Sequence, residues 1–377
     1  MRIAVNTRLL IKDQLEGIGW FTCESLKRIT RQHPEHQFFF IFDRPFSEEF
    51  IFSDNITPIV AFPQARHQYL WYLFFEWSVP YLLRKYKADM FLSTDGWISL
   101  RSNIPSVNVI HDLNFEHSAD FLPPAVHEYY TTYFPKFAEK ATRLATVSEF
   151  SKYDIHTMYH IPLDRIDVAY NGCNCEFVPI SMPEQEEVKQ KYAMGEDYFL
   201  FVGAIHKRKN LTNIFKAFDQ FKIKSSCETK LMIVGNKKWW SGEIEDTYLA
   251  MQHKKDVLFV GRLLPNELSR VMGSSLALVY ASLFEGFGIP ILEAFNAETA
   301  VITSNLTSMP EVAGDAALLV NPYSVDQIAT AMYQIKFDTQ LRKSLIQKGK
   351  IQRRKFTWDQ TAIQLWTSIE KVLATLS

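Results

Sequence analysis

The chain has 377 residues, 47% of them hydrophobic and 22% charged, the balance of a globular protein of two or three domains. Lys and Arg number 41 against 42 Asp and Glu, so no net field draws the chain to nucleic acid, and a phosphate-bearing ligand needs a local basic cluster. The four cysteines, Cys23, Cys173, Cys175 and Cys227, make no zinc framework and read as free thiols of a reducing compartment.

No run approaches the ~18 apolar residues of a membrane span. Residues 1–8 hold too short an apolar stretch for a secretory signal, so a cytoplasmic protein is expected. Residues 2–5 open as a short buried strand. A loop holding Gly17 and Gly19 follows, then a helix over about 20–31, then the strand 37–42 (QFFFIF) ending at Asp43. A GxG with a later acidic residue is half a dinucleotide fingerprint. Thr22 stands where the third glycine belongs, which argues against NAD. The glycines do allow a ligand to approach the backbone closely at a helix start.

Residues 68–86 are aromatic and helical, with Pro80 inside and Arg84, Lys85 and Lys87 at the end. Trp71, Phe74, Phe75 and Trp77 serve either the core, which is favoured, or a face resting on a membrane. Residues 90–93 and 106–110 read as strands. The second ends in His111-Asp112, where a His binds substrate, acts as an acid/base, or caps the strand. A helix over 123–141, a strand over 143–147, a helix over 149–159 and a strand over 167–170 complete the first half.

Residues 179–196 (PISMPEQEEVKQKYAMGE) are polar, charged and proline-marked, and read as a linker with a short helix. The pattern restarts with the buried strand 198–202, Gly203, and a basic run, His206-Lys207-Arg208-Lys209-Asn210, that opens a helix. Such a run either holds a phosphate at the helix start or is a solvated charge run. Strands over 230–234 and 257–260 and helices over 246–253 and 265–272 precede the stretch FEGFGIPILE, 284–293. Its glycines and Pro290 keep Glu285 and Glu293 off a common helix. Glu285 falls on the loop after the strand 276–280, and Glu293 on the first turn of a helix beginning at Pro290. In an open α/β sheet ligands bind at such a strand end; an ordinary strand–turn–helix with solvated glutamates is the alternative. A strand over 300–303, a strand over 317–320 and helices over 325–335, 339–355 and 357–375 close the chain. Alternating strands and helices on both sides of the linker imply an α/β protein of two doubly wound, Rossmann-like parallel-sheet domains facing across a cleft.

Taken together the motifs resemble the retaining glycosyltransferases of family 4, with the two-domain GT-B fold. FEGFGIPILEA is similar to that family's E-x7-E signature, and VGAIHKRKN to its phosphate-binding stretch. SNLTSMPEVAGDAALLVNP resembles the segment that follows, and GIG, VIHD, TVSEFS and YNG resemble the amino-terminal motifs. The resemblance implies an acceptor-side domain over 1–178, a linker over 179–196 and a nucleotide-sugar-binding domain over 197–356, with residues 357–377 packing back on the first domain. It implies transfer of a sugar from a GDP- or UDP-sugar to a saccharide or lipid-linked saccharide, mannosyltransferase-like, in cell-surface polysaccharide synthesis. The implied transfer is metal-independent, and the sequence contains no DxD. Peripheral contact with the inner face of the membrane fits such an acceptor.

By the same resemblance, Glu293 holds the ribose hydroxyls. Glu285 contacts the donor sugar, with the backbone N–H groups of Phe287, Gly288 and Ile289. Lys209 and Arg208, behind Gly203, neutralise the diphosphate; Gly17 and Gly19 approach it from the first domain; His111 lies near the reacting carbon. Ala204 stands where the family often has arginine, and Ala297-Glu298-Thr299-Ala300 replaces the usual C-G-T-P. Competing readings are a nucleotide-sugar epimerase or phosphorylase on the same fold, an NAD-dependent oxidoreductase lacking its GxGxxG, and a non-catalytic two-domain ligand-binding protein.

Overall fold

Short runs of apolar and β-branched residues build two parallel sheets in the computed structural model, which describes residues 1–236, 240 and 242–376. The first sheet contains β1 (Arg2–Asn6), β2 (Gln37–Phe42), β3 (Ile56–Val60), β4 (Met90–Ser93), β5 (Ser106–Val109), β6 (Arg143–Thr146) and β7 (Ile166–Val168). The second contains β8 (Tyr198–Val202), β9 (Lys230–Val234), β10 (Val257–Gly261), β11 (Ala277–Tyr280), β12 (Ala300–Ser304) and β13 (Leu318–Val320). Their orders are β3-β2-β1-β4-β5-β6-β7 and β10-β9-β8-β11-β12-β13, with every pairing parallel. Parallel sheets of this kind are covered by helices on both faces, which is why β8, β9 and β12 are buried along their whole length.

In each sheet the winding reverses once. The reversal lies between β1 and β4 in the first and between β8 and β11 in the second. A crevice opens at the carboxyl ends of the strands at such a switch point, and it is the place where this architecture binds ligands.

The chain forms two compact units. One is Met1–Gly172 together with the chain from Thr357 onward, and the other is Cys173–Phe356. Helix Trp358–Leu373 is capped by Thr357, whose hydroxyl accepts from the Gln360 N–H at 3.2 Å. It packs against the Gly17–Gln32 helix, stacking Trp366 on His33 at 3.5 Å between ring centroids. Asp167 then accepts from Ser368 at 2.9 Å and from Lys371 at 2.6 Å, which fixes the end of the chain to the edge of the first sheet.

Several boundaries differ from those read in the sequence. Residues 179–196, expected to be a linker with a short helix, do hold a helix, Met182–Ala193, but it is part of the second unit. A capping box between Ser181 and Glu184 starts it, and buried Val188 and Ala193 attach it to that unit. Strand β3 went unread because Pro58 interrupts its pattern; Pro58 is tolerated there because β3 is the outermost strand. Residues 246–253, read as a helix, are helical over Glu243–Ala250. Gly17 and Gly19 are not in a loop: the Gly17–Gln32 helix begins at Gly17, so both glycines are in its first turn. The aromatic stretch is helix Gln68–Leu73, a π-turn Phe74–Ser78 and helix Val79–Lys85, one continuous helical rod. Among the described residues no helix is long and apolar enough to cross a membrane.

Candidate active site

In the second unit the switch point collects the basic run after β8 and the glutamate loop after β11. Gly203 leaves β8 at φ +146°. Behind it, a Cβ on Gly235 would lie 1.9 Å from the Gly203 carbonyl oxygen, so the ends of β8 and β9 approach as only glycine permits. Residues Lys207–Lys209 form a single 3-10 turn started by His206, whose ring accepts from the Arg208 N–H at 3.1 Å. Asn210 takes a left-handed conformation, φ +63°, and donates to the carbonyls of Ala281 (2.9 Å) and Pro322 (2.7 Å). The first bond fastens the basic turn to the loop after β11 and the second to the loop after β13, and helix Leu211–Ser225 runs on from there.

Fastened in this way, Arg208 and Lys209 both reach Glu285. Lys209 Nζ donates to Glu285 Oε1 at 2.6 Å, and Arg208 Nη1 donates to Oε2 at 2.7 Å. Arg208 also donates to the Phe284 carbonyl at 2.7 Å, and Lys209 to the Tyr280 hydroxyl at 2.7 Å. The loop is held from β12's side: Ser308 donates to the carbonyls of Glu285 (2.8 Å) and Phe287 (3.0 Å). Glu285 is buried, and burial alone would raise its pKa; the charges of Arg208 and Lys209 outweigh that and bring it down to about 2. At neutral pH it is an anion between two cations.

Glu293 is electrostatically the opposite case. Helix Ile289–Asn296 starts one residue earlier than expected, after Gly288 at φ +103°, so Glu293 is its fifth residue and not in its first turn. Burial alone raises its pKa to about 8. Among the described residues no hydrogen bond or ion pair holds its carboxyl, and no neighbouring charge offsets the effect of burial. A carboxyl so placed is ready to accept from hydroxyls that a ligand brings. Phe287, Gly288 and Ile289 lie between the two glutamates, leading into the positive end of that helix.

The first unit has its own cluster at the β1–β4 switch point. His111, two residues past β5, donates through Nε2 to the Thr94 carbonyl at 2.9 Å, since a carbonyl can only accept. That fixes the neutral tautomer and leaves Nδ1 as an acceptor; burial also lowers the His111 pKa. Its ring meets Phe21 edge-on at 4.9 Å, and Thr22 bonds Thr94 at 2.8 Å, so His111 and the glycine-started helix are packed together. Two residues that the sequence reading passed over sit beside them. Asp95 accepts from Asn6 at 2.7 Å and from Arg8 at 2.5 Å, and the Arg8 guanidinium lies 4.3 Å over Trp97. Tyr280, Thr307 and Ser308 were passed over in the second unit; the last two lie in the quoted SNLTSMPE segment, which was the available signal. Thus Gly203, Arg208, Lys209, Glu285, Phe287, Gly288, Ile289 and Glu293 share one unit, and Gly17, Gly19 and His111 the other.

Residues 16–177 match the family model described as Glycosyltransferase Family 4, and residues 183–352 match Glycosyl transferases group 1. The chain is 28% identical over 367 residues to O-antigen chain mannosyltransferase B of Escherichia coli, across 94% of this chain and 96% of that protein. It is 28% identical over 256 residues to O-antigen chain mannosyltransferase RfbU of Salmonella typhimurium, across 67% of each. In fold it is similar to Anabaena HepE, solved in complex with UDP and glucose, with a TM-score of 0.76 and 13% identity over 98% of this chain and 99% of that one.

Proposed function

Because the chain belongs to the group 1 and family 4 glycosyltransferases and has their two-sheet GT-B architecture, we propose that it transfers mannose, with retention, from a nucleoside diphosphate sugar to a growing surface polysaccharide. The observation that carries this reading is the cationic pair Arg208 and Lys209 locked on Glu285 at the switch point, with the unpartnered Glu293 carboxyl following in the same loop–helix. Mannose is supported by the names of the two enteric relatives, and GDP-mannose is the first donor to test.

In this reading Glu293 accepts the two ribose hydroxyls. Arg208 and Lys209 stabilise the charge that grows on the departing diphosphate, the part a divalent ion plays elsewhere, so transfer is metal-independent. Glu285, anionic at every physiological pH, accepts from hydroxyls of the donor sugar, next to the N–H groups of Phe287, Gly288 and Ile289. His111 Nδ1 and the first-turn N–H groups at Gly17 and Gly19 serve the same reaction from the first unit. Glu285 is not assigned as a nucleophile: both its oxygens are engaged by cations, which lowers its basicity. The acceptor is a lipid-linked saccharide, and the protein works at the cytoplasmic face of a membrane.

Thermal-shift screening of UDP-, GDP- and ADP-sugars identifies the donor, and release of nucleoside diphosphate with an acceptor present measures transfer. Glu285→Ala and Lys209→Ala should each abolish transfer with the circular dichroism unchanged. Full activity in both, or conversion of the donor to an epimer without acceptor, overturns the proposal.

A further inference from the structure

The turn that joins helix Gly17–Gln32 to β2 reads His33-Pro34-Glu35-His36. Pro34 holds the second position of this four-residue turn, which the His36 N–H closes on the His33 carbonyl at 3.2 Å. Asn55, just before β3, clamps the turn: its side-chain amide donates to the carbonyls of Thr30 (3.0 Å), His33 (3.1 Å) and His36 (3.0 Å). The two imidazole centroids lie 6.3 Å apart. Both rings rest against Trp366 of helix Trp358–Leu373, His33 stacked at 3.5 Å and His36 tilted at 5.2 Å. Packing between the turn and that helix limits the rotamers open to either ring.

Glu35 spans the two rings. Its Oε1 lies 3.3 Å from His33 Nδ1 and 3.3 Å from His36 Nε2. Charged hydrogen bonds run at about 2.7–2.9 Å, so these contacts are long for that purpose. They do match the edges of a coordination tetrahedron. Zinc bonds of about 2.0–2.2 Å to imidazole nitrogen and carboxylate oxygen set neighbouring ligand atoms about 3.3–3.6 Å apart. One ligand atom from each of the three residues lies within 4.8 Å of the others, and among the described residues no other three His, Cys, Asp or Glu side chains meet so closely. His36 Nδ1 faces the Met1 nitrogen at 3.3 Å, which leaves Nε2 on the Glu35 side. Glu370, on helix Trp358–Leu373, is a further negative charge acting on His36. Two imidazoles and a carboxylate suit Zn²⁺ and its first-row neighbours, and not Mg²⁺ or Ca²⁺, which take oxygen ligands. Glu35 is the exposed member, at 60%, so a fourth position opens to water.

We propose that the first unit binds one Zn²⁺ through His33 Nδ1, a Glu35 carboxylate oxygen and His36 Nε2, with water as the fourth ligand. The site is at the far end of the Gly17–Gln32 helix, 16 residues or about 24 Å from the glycines that start it. It therefore stands apart from the switch point and does not rest on the transferase reading.

The test is equilibrium dialysis of the full chain, free of any affinity tag, against Zn²⁺, Mg²⁺ and Ca²⁺. Wild type should retain one Zn²⁺ per chain and neither of the other two. Glu35→Gln and His36→Gln, with unchanged circular dichroism, should each weaken Zn²⁺ binding at least about a hundredfold, since loss of a mere outer-sphere partner costs roughly 10–100-fold. Co²⁺ in place of Zn²⁺ should give a visible band without the near-ultraviolet charge-transfer band of thiolate ligands, and Cys173→Ser with Cys175→Ser should bind as wild type. Ni²⁺ should quench tryptophan fluorescence, and Trp366→Phe should remove most of that quenching while Zn²⁺ is still retained. No Zn²⁺ on wild type, equal retention by Glu35→Gln and His36→Gln, retention abolished by the two cysteine changes, or full quenching in Trp366→Phe overturns the site.

Discussion

Replacing Glu293 by Gln tests the electrostatics of the site before any sugar is present. Burial holds the Glu293 carboxyl at about 8 in the folded protein, against 4.5 ordinarily. Below about pH 4.5 both the folded and the unfolded chain keep the proton, and the group does not distinguish them. From there up to about pH 8 the unfolded chain releases the proton and the folded chain retains it, so stability falls as pH rises. At about pH 7 the loss is at most about 3 kcal/mol, from about 1.4 kcal/mol per pH unit, and water reaching the partly buried carboxyl reduces it. Gln keeps the shape and has no charge to desolvate. Urea unfolding of Glu293→Gln should therefore show stability equal to wild type in acid and higher by about 1–3 kcal/mol at neutral pH. A gap that does not grow with pH, or that is widest in acid, refutes the assignment. Under the role proposed for Glu293, the site should release a proton when a nucleoside diphosphate binds, because ribose hydroxyls would stabilise the ionised form. Calorimetric titration in two buffers of different ionisation enthalpy counts that proton, and Glu293→Gln should bind more weakly and release none.

Glu285 has the reverse pH profile. Its pKa of about 2 is below its ordinary 4.5, so its stabilisation is complete above the ordinary value and is lost as pH falls toward 2. Glu285→Gln should cost about 3 kcal/mol at neutral pH and make acid unfolding shallower, measured by circular dichroism against pH. Tyr280→Phe removes one acceptor from Lys209 and should cost about 1 kcal/mol, seen as a several-fold lower kcat with the fold retained. Gly235→Ala would drive a Cβ against the Gly203 carbonyl and should destabilise by about 3 kcal/mol or more, shifting the phosphate-side turn. Gly242→Ala, where a Cβ meets nothing within 4 Å, should cost only about 1 kcal/mol; equal melting temperatures for the two variants would refute the close-approach argument.

The doubly wound architecture was legible because β1, β2, β8, β9, β11 and β12 are apolar runs with turn residues at their ends, and runs of that kind survive any tertiary context. β3 was not legible, since a proline in an outermost strand has no sequence signal to separate it from a loop. The glutamate spacing was legible as loop-then-helix, because Gly288 and Pro290 leave the backbone little choice. Which glutamate would be ionised was not legible. That depends on Arg208 and Lys209, some 76 residues away in the chain, being turned toward Glu285 by Asn210's two bonds across the sheet. Arg8 and Asp95 were missed for the same reason: their pairing exists only once β1 and β4 are neighbours.

The two glutamates of the signature, eight positions apart, end with pKa values pushed to about 2 and about 8. A pair separated in this way is often an acid and a base. Here the surroundings point to a division of binding labour. Glu285 cannot serve as a proton acceptor of any strength while two cations hold it. It keeps Arg208 and Lys209 at fixed positions, 2.7 and 2.6 Å from its own oxygens, so that under the proposed function little reorganisation would remain for them in meeting a diphosphate. In the proposed transfer a diphosphate would share those cations with Glu285, which weakens ground-state binding. As the sugar departs, charge grows on the diphosphate and the cations respond to it more strongly. An interaction that gains strength toward the transition state raises kcat in preference to lowering KM. Removing Lys209 should therefore depress kcat far more than it raises the KM for the donor. A variant that binds donor poorly but turns over at the wild-type rate would show that the cations serve binding alone.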